Sequence, residues 1–272
     1  MKQITLPNGR KCFCLDKISA LASYREVYED KDYLQYGLDI PENAVVFDIG
    51  ANIGHFSRYV AENYPSAHVY AFEPVPQIFK VYSANIAHYP DRVHPYNLGL
   101  AEKAGEIMIN YFPRLSVNSA IKPFVWNDMV EFGTNNWETF TDGYKIARIV
   151  PKKWRRFFVK LTLKILFKTI PTKCHLKPLS AIISENNLSK IDFLKIDAEN
   201  YEDNVIAGIN DEHWPLIQQI AMEVHQNIEG GENINKKISS LLELKGFSVK
   251  MGKENIAPGS NVFMLYAKRE KK

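Results

Sequence analysis

The segment "AVVFDIGANIGHFSRYVAENY" (44 to 64) places an apolar run, a glycine-containing loop and a helical pattern in direct succession. Its β-branched residues predict a strand at 44–49, followed by a loop with Gly50 and Gly54 and then a helix. A second unit follows, with a strand at 68–73 and a helix at about 77–88. Strands and helices that alternate in this way indicate an α/β fold with a parallel sheet.

Further strands are predicted along the rest of the chain, at 93–100, 105–111, 191–197, 217–225 and 261–268. Only a short Gly/Pro loop separates the last of these from "FSVKMG", so those two strands can pair antiparallel. The sequence therefore predicts a mostly parallel sheet that ends in an antiparallel edge hairpin. We expect a helical N-terminal segment at 1–43, a core built from 44–111 and 176–268, and an insertion at 112–175.

The composition is that of a globular protein. Hydrophobic residues make up 46% of the 272 residues, and there is no run of about 18 uncharged apolar residues that could cross a membrane. The N-terminus lacks the apolar region of a secretory signal. Cys12, Cys14 and Cys174 form neither a disulfide framework nor a pair of CxxC motifs, which predicts reduced thiols. We therefore expect a soluble, cytoplasmic protein.

The loop "VFDIGANIGHF" and the strand end at Glu73 predict a ligand site. The glycines allow close approach to the backbone, the next helix offers unpaired N–H groups, and the Glu73 carboxylate can accept both hydroxyls of a ribose. This DxGxNxG pattern resembles motif I of S-adenosylmethionine-dependent methyltransferases of the Rossmann-like class. The resemblance implies S-adenosylmethionine as cofactor, with contacts from Asp48, Gly50, Asn52, Gly54, Phe56, Glu73, Pro74 and Asn97.

A second group of polar residues follows two later strands. "IDFLKIDAEN" ends with Asp197 and Glu199, and "IAMEVH" carries Glu223 and His225 on one face. Because ligands of open α/β sheets bind at the carboxyl ends of the strands, these four side chains are predicted to converge on one site. Glu202 and Asp203 fall in the first turn of the next helix, where we expect them to cap it.

Four segments narrow the resemblance. "VVFDIGANIGHFS", "VYAFEPVPQIF", "IDFLKIDAENYEDNVIAG" and "IAMEVH" resemble the FkbM-type methyltransferases. "DEHWPLIQQIAMEVH" resembles the O-methyltransferase domains embedded in hybrid polyketide/peptide synthases. Asn200 departs from the glycine that many FkbM sequences have there, but asparagine tolerates the left-handed backbone. The resemblance implies a class I methyltransferase fold with seven strands and a helical lid insertion.

The resemblance to these methyltransferases also implies methyl transfer to a hydroxyl of a polyketide or polyketide-peptide intermediate, free or tethered to a carrier protein. One alternative is a sugar hydroxyl in glycan biosynthesis. An alternative of another class is a degenerate S-adenosylmethionine-binding docking module. The grouping of Asp197, Glu199 and His225 favours an enzyme, because a scaffold has no reason to keep these side chains together.

Methyl transfer to an alcohol needs help with the hydroxyl proton, since the pKa of an alcohol lies far above 7. Our hypothesis is that His225 is the base and that Glu199 or Glu223 orients its ring. The competing hypothesis is a divalent cation, such as Mg²⁺, held by Asp197 and Glu223, which would lower the pKa of the hydroxyl directly.

The insertion is strongly basic. Between Asp142 and Glu185 there is no acidic residue but eleven basic ones, so the rest of the chain is acidic: Lys145, Arg148, Lys152, Lys153, Arg155, Arg156, Lys160, Lys164, Lys168, Lys173 and Lys177. Its segment 152–168 predicts an amphipathic helix, and we expect the stripe formed by Trp154, Phe158, Leu161 and Ile165 to face the core of a lid. The alternatives are docking of an acyl carrier protein, favoured by the resemblance, an anionic membrane surface, or nucleic acid, which the acidic remainder disfavours.

Overall fold

The structure is a computed structural model that describes residues 1–119, 126–141, 149–225, 233–252 and 262–270. The chain begins with a hairpin of β1 (Lys2–Thr5) and β2 (Lys11–Cys14), followed by α1 (Lys17–Tyr24) and a π-helical turn (Arg25–Glu29). The hairpin corrects the prediction that 1–43 is helical. Its turn contains Asn8 and Gly9, and Gly9 has the positive φ of 81° that such turns require.

The first half of the core contains β3 (Val45–Ile49), α2 (His55–Asn63), β4 (His68–Phe72), α3 (Pro76–Ile86) and β5 (Val93–Tyr96). Two shorter extended pieces follow, β6 (Gly99–Leu100) and β7 (Gly105–Tyr111). The strand predicted at 93–100 is thus divided between β5 and β6, which lie in different sheets.

The insertion contains a 3₁₀ turn (Ser116–Asn118), α4 (Trp126–Asn135), α5 (Trp137–Phe140), α6 (Lys152–Leu166) and β8 (Ile170–Lys177). Sequence patterning missed β8, which pairs antiparallel with β7 and parallel with β6 in a second, three-stranded sheet. Lys145 and Arg148 lie outside the described residues.

The second half of the core contains α7 (Leu179–Glu185), β9 (Phe193–Ile196), α8 (Glu202–Ala207), a 3₁₀ segment (Asp211–Leu216), β10 (Gln219–His225), α9 (Ile234–Leu244), β11 (Phe247–Met251) and β12 (Val262–Arg269). The main sheet has seven strands in the order β11-β12-β10-β9-β3-β4-β5. All neighbours are parallel except β12, which is antiparallel to both β10 and β11. This confirms the predicted mostly parallel sheet and its edge hairpin.

The chain leaves the central strand β3 towards β4 and β5 and later returns to its other side through β9. The strand order therefore reverses at β3, and ligands of such sheets bind where this reversal opens a crevice at the carboxyl ends of the strands. Apolar clusters cover both faces of the sheet, with Phe47 and Leu194 in one and Val46 and Phe193 in the other. The three cysteines are buried free thiols.

Helix α6 packs with a different face from the one expected. Val159 and Leu163 are buried against Val130 and Trp137 of the preceding helices. Trp154, Phe158, Leu161 and Ile165, predicted to face the core, are between 41% and 50% exposed. The helix carries apolar residues on two sides, so spacing alone did not reveal which side finds a partner. None of the helices that the structure describes is long and apolar enough to span a bilayer.

Candidate active site

The loop after β3 is held against the neighbouring strands. The backbone N–H groups of Gly50 and Ala51 both donate to the carbonyl oxygen of Phe72, at 3.0 and 2.9 Å. Gly50 has a φ of 72°, and a Cβ there would lie 1.7 Å from the carbonyl oxygen of Asp197. The close approach of the chain that follows β9 therefore requires a glycine at position 50. The sequence had suggested a different reason for this glycine, namely access of a ligand to the backbone.

A buried ion pair lies beneath this loop. The Nζ atom of Lys195 lies 3.2 Å from Asp48 Oδ1 and donates to the carbonyl oxygen of Gly50 at 2.8 Å. Ser57 donates to the other carboxylate oxygen of Asp48 at 2.6 Å and accepts from Tyr82 at 3.0 Å. Burial lowers the pKa of Lys195, but Asp48 and Asp197 outweigh it and leave that pKa raised, so the ammonium form is favoured. Asp48 thus holds the loop in place through Lys195.

Glu73 lies at the end of β4 and is 5% exposed. Its carboxylate accepts from the backbone N–H groups of Asn52 at 3.0 Å and Val75 at 2.8 Å. Burial raises its pKa to about 8, against the opposing effect of those two hydrogen bonds. Asn97 donates to the backbone carbonyls of Glu73 and Pro74, at 2.9 and 3.2 Å, and so fixes the turn that carries the carboxylate.

A cleft opens in front of this turn. Of the residues predicted to contact the cofactor, four line it: Gly50, Asn52, Glu73 and Pro74. Asn52 has a buried side-chain oxygen without a hydrogen-bond partner, and apolar residues also line the cleft: Ile49, Phe72, Ile78 and Leu100. A carboxylate, an unpaired amide oxygen and an apolar wall fit the ribose and base of a nucleoside.

The other predicted cofactor residues lie behind the cleft. Asp48 and Asn97 hold the loops as described above, and Gly54 caps α2 with a φ of 92°. Phe56 is buried in the core, with its ring centroid 5.4 Å from that of Tyr33 and 5.9 Å from that of Phe193. The structure thus gives Phe56 a packing environment rather than a place among the lining residues of the cleft.

The four predicted catalytic residues do converge. Nε2 of His225 lies 3.5 Å from Glu199 Oε2 and 3.5 Å from Glu223 Oε1. Asp197 accepts from the hydroxyl of Tyr33 at 3.2 Å and lies 3.6 Å from Lys195. Asp197 and Glu199 also line the cleft that contains Glu73, whereas Glu223 and His225 are not among its lining residues.

The partner that orients His225 is not one of the two predicted. Nδ1 of His225 is hydrogen-bonded to Oε1 of Glu202 at 3.0 Å. Glu202 does begin α8, as predicted, but its side chain is fully buried and turns back towards β10 instead of capping the helix from solvent. Burial lowers the pKa of His225, yet Glu202, Glu199 and Glu223 raise it well above its ordinary value. His225 is thus favoured as an imidazolium.

The same burial also disfavours the charged form of two neighbouring carboxyl groups. It raises the pKa of Glu199 to about 8, with His225 acting to lower it and Asp197 to raise it. It also raises the pKa of Glu223 well above its ordinary value. Glu199 and Asn200 have left-handed backbones with φ of 45° and 73°, so Asn200 does adopt the conformation that asparagine tolerates. This turn directs the chain from β9 across the cleft.

The N-terminal segment supplies two further residues at the site, Tyr33 and Glu26. Tyr33 lies with its ring 5.2 Å from Lys195 Nζ, as well as donating to Asp197. Glu26 lies in the π-helical turn, and burial followed by the charges of Asp197 and Asp32 raises its pKa to about 7. A single π-helical turn often marks a functional site in structures, but a sequence gives no local signal for it.

The geometry of the described residues does not support the competing hypothesis of a divalent cation held by Asp197 and Glu223. Among the residues that the structure describes, no group of three or more His, Cys, Asp or Glu side chains is arranged to hold a metal ion. Asp197 instead uses one oxygen for Tyr33 and Lys195, and Glu223 lies against His225.

The seven-stranded sheet, the glycine loop after its central strand and the carboxylate at the end of the next strand define a Rossmann-like methyltransferase. The family model of the methyltransferase FkbM domain matches residues 48–249, and the chain belongs to this family.

Three relatives are similar over nearly the whole chain. Methyltransferase sdnD of Sordaria araneosa is 31% identical over 95% of this chain and 93% of its own. The 31-O-demethyl-FK506 methyltransferase FkbM of Streptomyces tacrolimicus is 27% identical over 99% and 97%. The AMB antimetabolite synthetase AmbE of Pseudomonas aeruginosa is 30% identical over 98% of this chain, which spans only 12% of AmbE.

Proposed function

We propose that this methyltransferase transfers the methyl group of S-adenosylmethionine to a hydroxyl oxygen of a natural-product intermediate of the polyketide or polyketide-peptide type. The observation that carries the proposal is the position of Glu199, a half-buried carboxyl group in the same cleft as Glu73. The name of the S. tacrolimicus relative places its methyl transfer on a demethylated oxygen of FK506, and another relative is named as an antimetabolite synthetase. Both names support a natural-product acceptor.

Glu73 and Asn52 would hold the cofactor. The carboxylate of Glu73 keeps lone pairs for the ribose hydroxyls beyond the two that accept backbone N–H groups. The unpaired side-chain oxygen of Asn52 lies in the same cleft. When bound, S-adenosylmethionine supplies an electrophilic methyl group. The protein must place the acceptor oxygen in line with it and remove the hydroxyl proton.

We assign the base role to Glu199 and a positioning role to His225, which exchanges their roles in the hypothesis from the sequence. Glu199 lines the cleft, and its Oε2 atom accepts no hydrogen bond from the described residues. A carboxyl group with a pKa of about 8 is a stronger base than an ordinary glutamate and is still partly ionised at neutral pH. His225 is clamped by Glu202 and lies against Glu199 as a cation, which stabilises the ionised carboxylate.

Replacement of Glu199 by glutamine keeps the size of the side chain and removes its basicity. Methyl transfer by Glu199→Gln should fall by about 10²- to 10⁴-fold, as expected for loss of a general base, while cofactor affinity measured by calorimetry stays near that of the wild type. Glu185→Gln is a matched control, since Glu185 lies outside the cleft and pairs with Lys177. Full activity of Glu199→Gln would overturn the assignment.

The acceptor class is tested by supplying hydroxylated polyketide acids, the same groups bound to an acyl carrier protein, and free sugars. Transfer to the carrier-bound acceptor alone would support an acceptor that is tethered to a carrier protein. The predicted docking of that carrier on residues 152–168 would then be tested next. Transfer to sugars alone would support the glycan alternative and overturn the natural-product proposal. If EDTA does not change the turnover, the hypothesis that a divalent cation binds at Asp197 and Glu223 is wrong.

A further inference from the structure

Helix α6 has two apolar faces, and only one of them has a partner in the described structure. Val159 and Leu163 are buried against the α4–α5 pair. On the other face five large apolar side chains are each between 41% and 56% exposed: Trp154, Phe157, Phe158, Leu161 and Ile165. We call these five residues the outer face. Soluble proteins seldom expose such a contiguous apolar group without a function.

The outer face points directly away from the body of the insertion. Successive residues of an α-helix are about 100° apart, so Leu161 lies about 160° from both Val159 and Leu163. The rings of the outer face contact one another, with centroids 6.1 Å apart for Trp154 and Phe157 and 5.7 Å apart for Phe157 and Phe158. Ile149 and Ile170, at the two ends of the helix, are also exposed, by 77% and 47%. The apolar surface therefore runs along the whole helix.

A basic strip adjoins the outer face on one side. Lys153, Arg156, Lys160 and Lys164 are all exposed and follow one another round the helix between the packed face and the outer face. No acidic residue occurs in the sequence from Ile149 to Ser184 that could neutralise them locally. The surface thus pairs extended apolar contact with positive charge.

Three kinds of partner carry the matching negative charge, and the outer face distinguishes between them. Nucleic-acid phosphates would satisfy the lysines but leave Leu161 and Ile165 in water. An acidic carrier protein would have to present a matching apolar surface beside its charges, because charged residues are depleted at the core of a protein interface. A bilayer with anionic headgroups meets both requirements along the full length, because acyl chains take up the apolar face and phosphates face the basic strip.

The geometry points to α6 as a helix that lies in the plane of an anionic phospholipid surface, with the outer face in the acyl region and the basic strip at the phosphates. The buried contacts of Val159 and Leu163 remain intact in this arrangement, so attachment requires no rearrangement of the insertion. The protein would then meet its acceptor at a membrane surface.

Vesicle binding tests the proposal with the full chain. Sedimentation with vesicles of phosphatidylcholine and phosphatidylserine should bring the protein down, phosphatidylcholine alone should bind it more weakly, and salt should reduce the difference. The double variant Trp154→Ser, Leu161→Ser should bind at least about tenfold more weakly, since each large apolar side chain contributes about that factor on leaving water. Leu244→Ser, at an exposed position of α9, is the control that should bind as the wild type does.

A charge variant separates the two parts of the surface. Lys153→Glu, Arg156→Glu, Lys160→Glu should lose the preference for phosphatidylserine, whereas Lys80→Glu, Lys103→Glu, Lys236→Glu, with three exposed lysines elsewhere, should keep more of it. Unchanged melting temperatures would show that both variants fold. Absence of vesicle binding by the wild type, or binding that the α6 variants leave unchanged, would overturn the proposal. Capture of an acyl carrier protein or of RNA in place of vesicles would do so as well.

Discussion

At the residue scale, Glu199 and His225 form a coupled pair whose protonation follows from burial and from three neighbouring carboxyl groups. The imidazolium acts to lower the pKa of Glu199, which burial raises to about 8. If ionised Glu199 is the base, kcat/KM should rise with pH and level off above about pH 8. A pH–rate profile of the free enzyme reports this group directly.

Removal of the imidazolium should move that profile. In His225→Gln the opposing positive charge is lost, so the pKa of Glu199 rises further and the activity curve shifts to higher pH. A histidine with a purely structural role would change the height of the curve and leave its position unchanged. His175→Gln is the control, because His175 is exposed on β8, where it lies near Glu106.

At this scale, the sequence predicted which residues lie close together at the site more reliably than it predicted their hydrogen-bond partners. Asp197, Glu199, Glu223 and His225 could be predicted to meet because strand alternation and parallel order fix the ends of β9 and β10. The partner of His225 could not be predicted, since Glu202 occupies a helix start where charge is usually directed to solvent. Its Oε1 atom also accepts from the backbone N–H of Asn200 at 3.1 Å, within the left-handed turn at Glu199 and Asn200.

At the element scale, the unit β3–loop–α2 depends on a contact with the chain that follows β9. Gly50→Ala places a Cβ 1.7 Å from the carbonyl oxygen of Asp197 at a φ of 72°. We expect the variant to lose at least about 2 kcal/mol of stability, from left-handed strain together with displacement of one of the two chains. It should also lose cofactor affinity, because both chains line the cleft.

Chemical unfolding and calorimetry measure both effects. Gly105→Ala is the matched control, since a Cβ at Gly105 meets nothing within 4 Å. A Gly50→Ala protein as stable as Gly105→Ala would contradict the packing account of this loop.

The elements also show which sequence signals were sufficient. The repeated strand–helix units were predicted because hydrophobic period and glycine loops agree there. Strand β8 was missed because its partner β7 lies some 60 residues earlier, and its sequence "IPTKCHLK" has neither a continuous apolar run nor a turn signal before it. The packed face of α6 was assigned wrongly because the partner helices α4 and α5 decide it.

At the scale of the whole molecule, several buried groups hold protons that the unfolded chain releases. Burial raises the pKa of Glu73 and Glu199 to about 8 and that of Glu26 to about 7. The folded state therefore binds more protons than the unfolded state between the ordinary pKa of 4.5 and those values, and stability should fall as pH rises through this window. His225 also makes the folded state less stable as the pH rises above about 6.5, since its pKa is raised in the folded state as well.

The expected slope is up to about 1.4 kcal/mol per pH unit for each proton that the folded state holds in excess. Unfolding by urea at a series of pH values between 5 and 9 measures it, with the cofactor absent. Glu199→Gln should reduce the slope, whereas Glu131→Gln, on α4 and exposed, should leave it unchanged. Stability that rises steadily across this range would contradict the assigned pKa directions.

Finally, the insertion leaves and rejoins the core through two strands that lie side by side. Tyr111 at the end of β7 is paired with Ile170 at the start of β8, so the two Cα atoms are only about 4.5–5.5 Å apart. Everything between them can be exchanged, shortened or replaced by a tight turn without altering the order of the main sheet. Ser116, Val117 and Ser119 line the cleft, so a replacement that keeps these residues should change the surface of the insertion and leave the chemistry of the cleft constant.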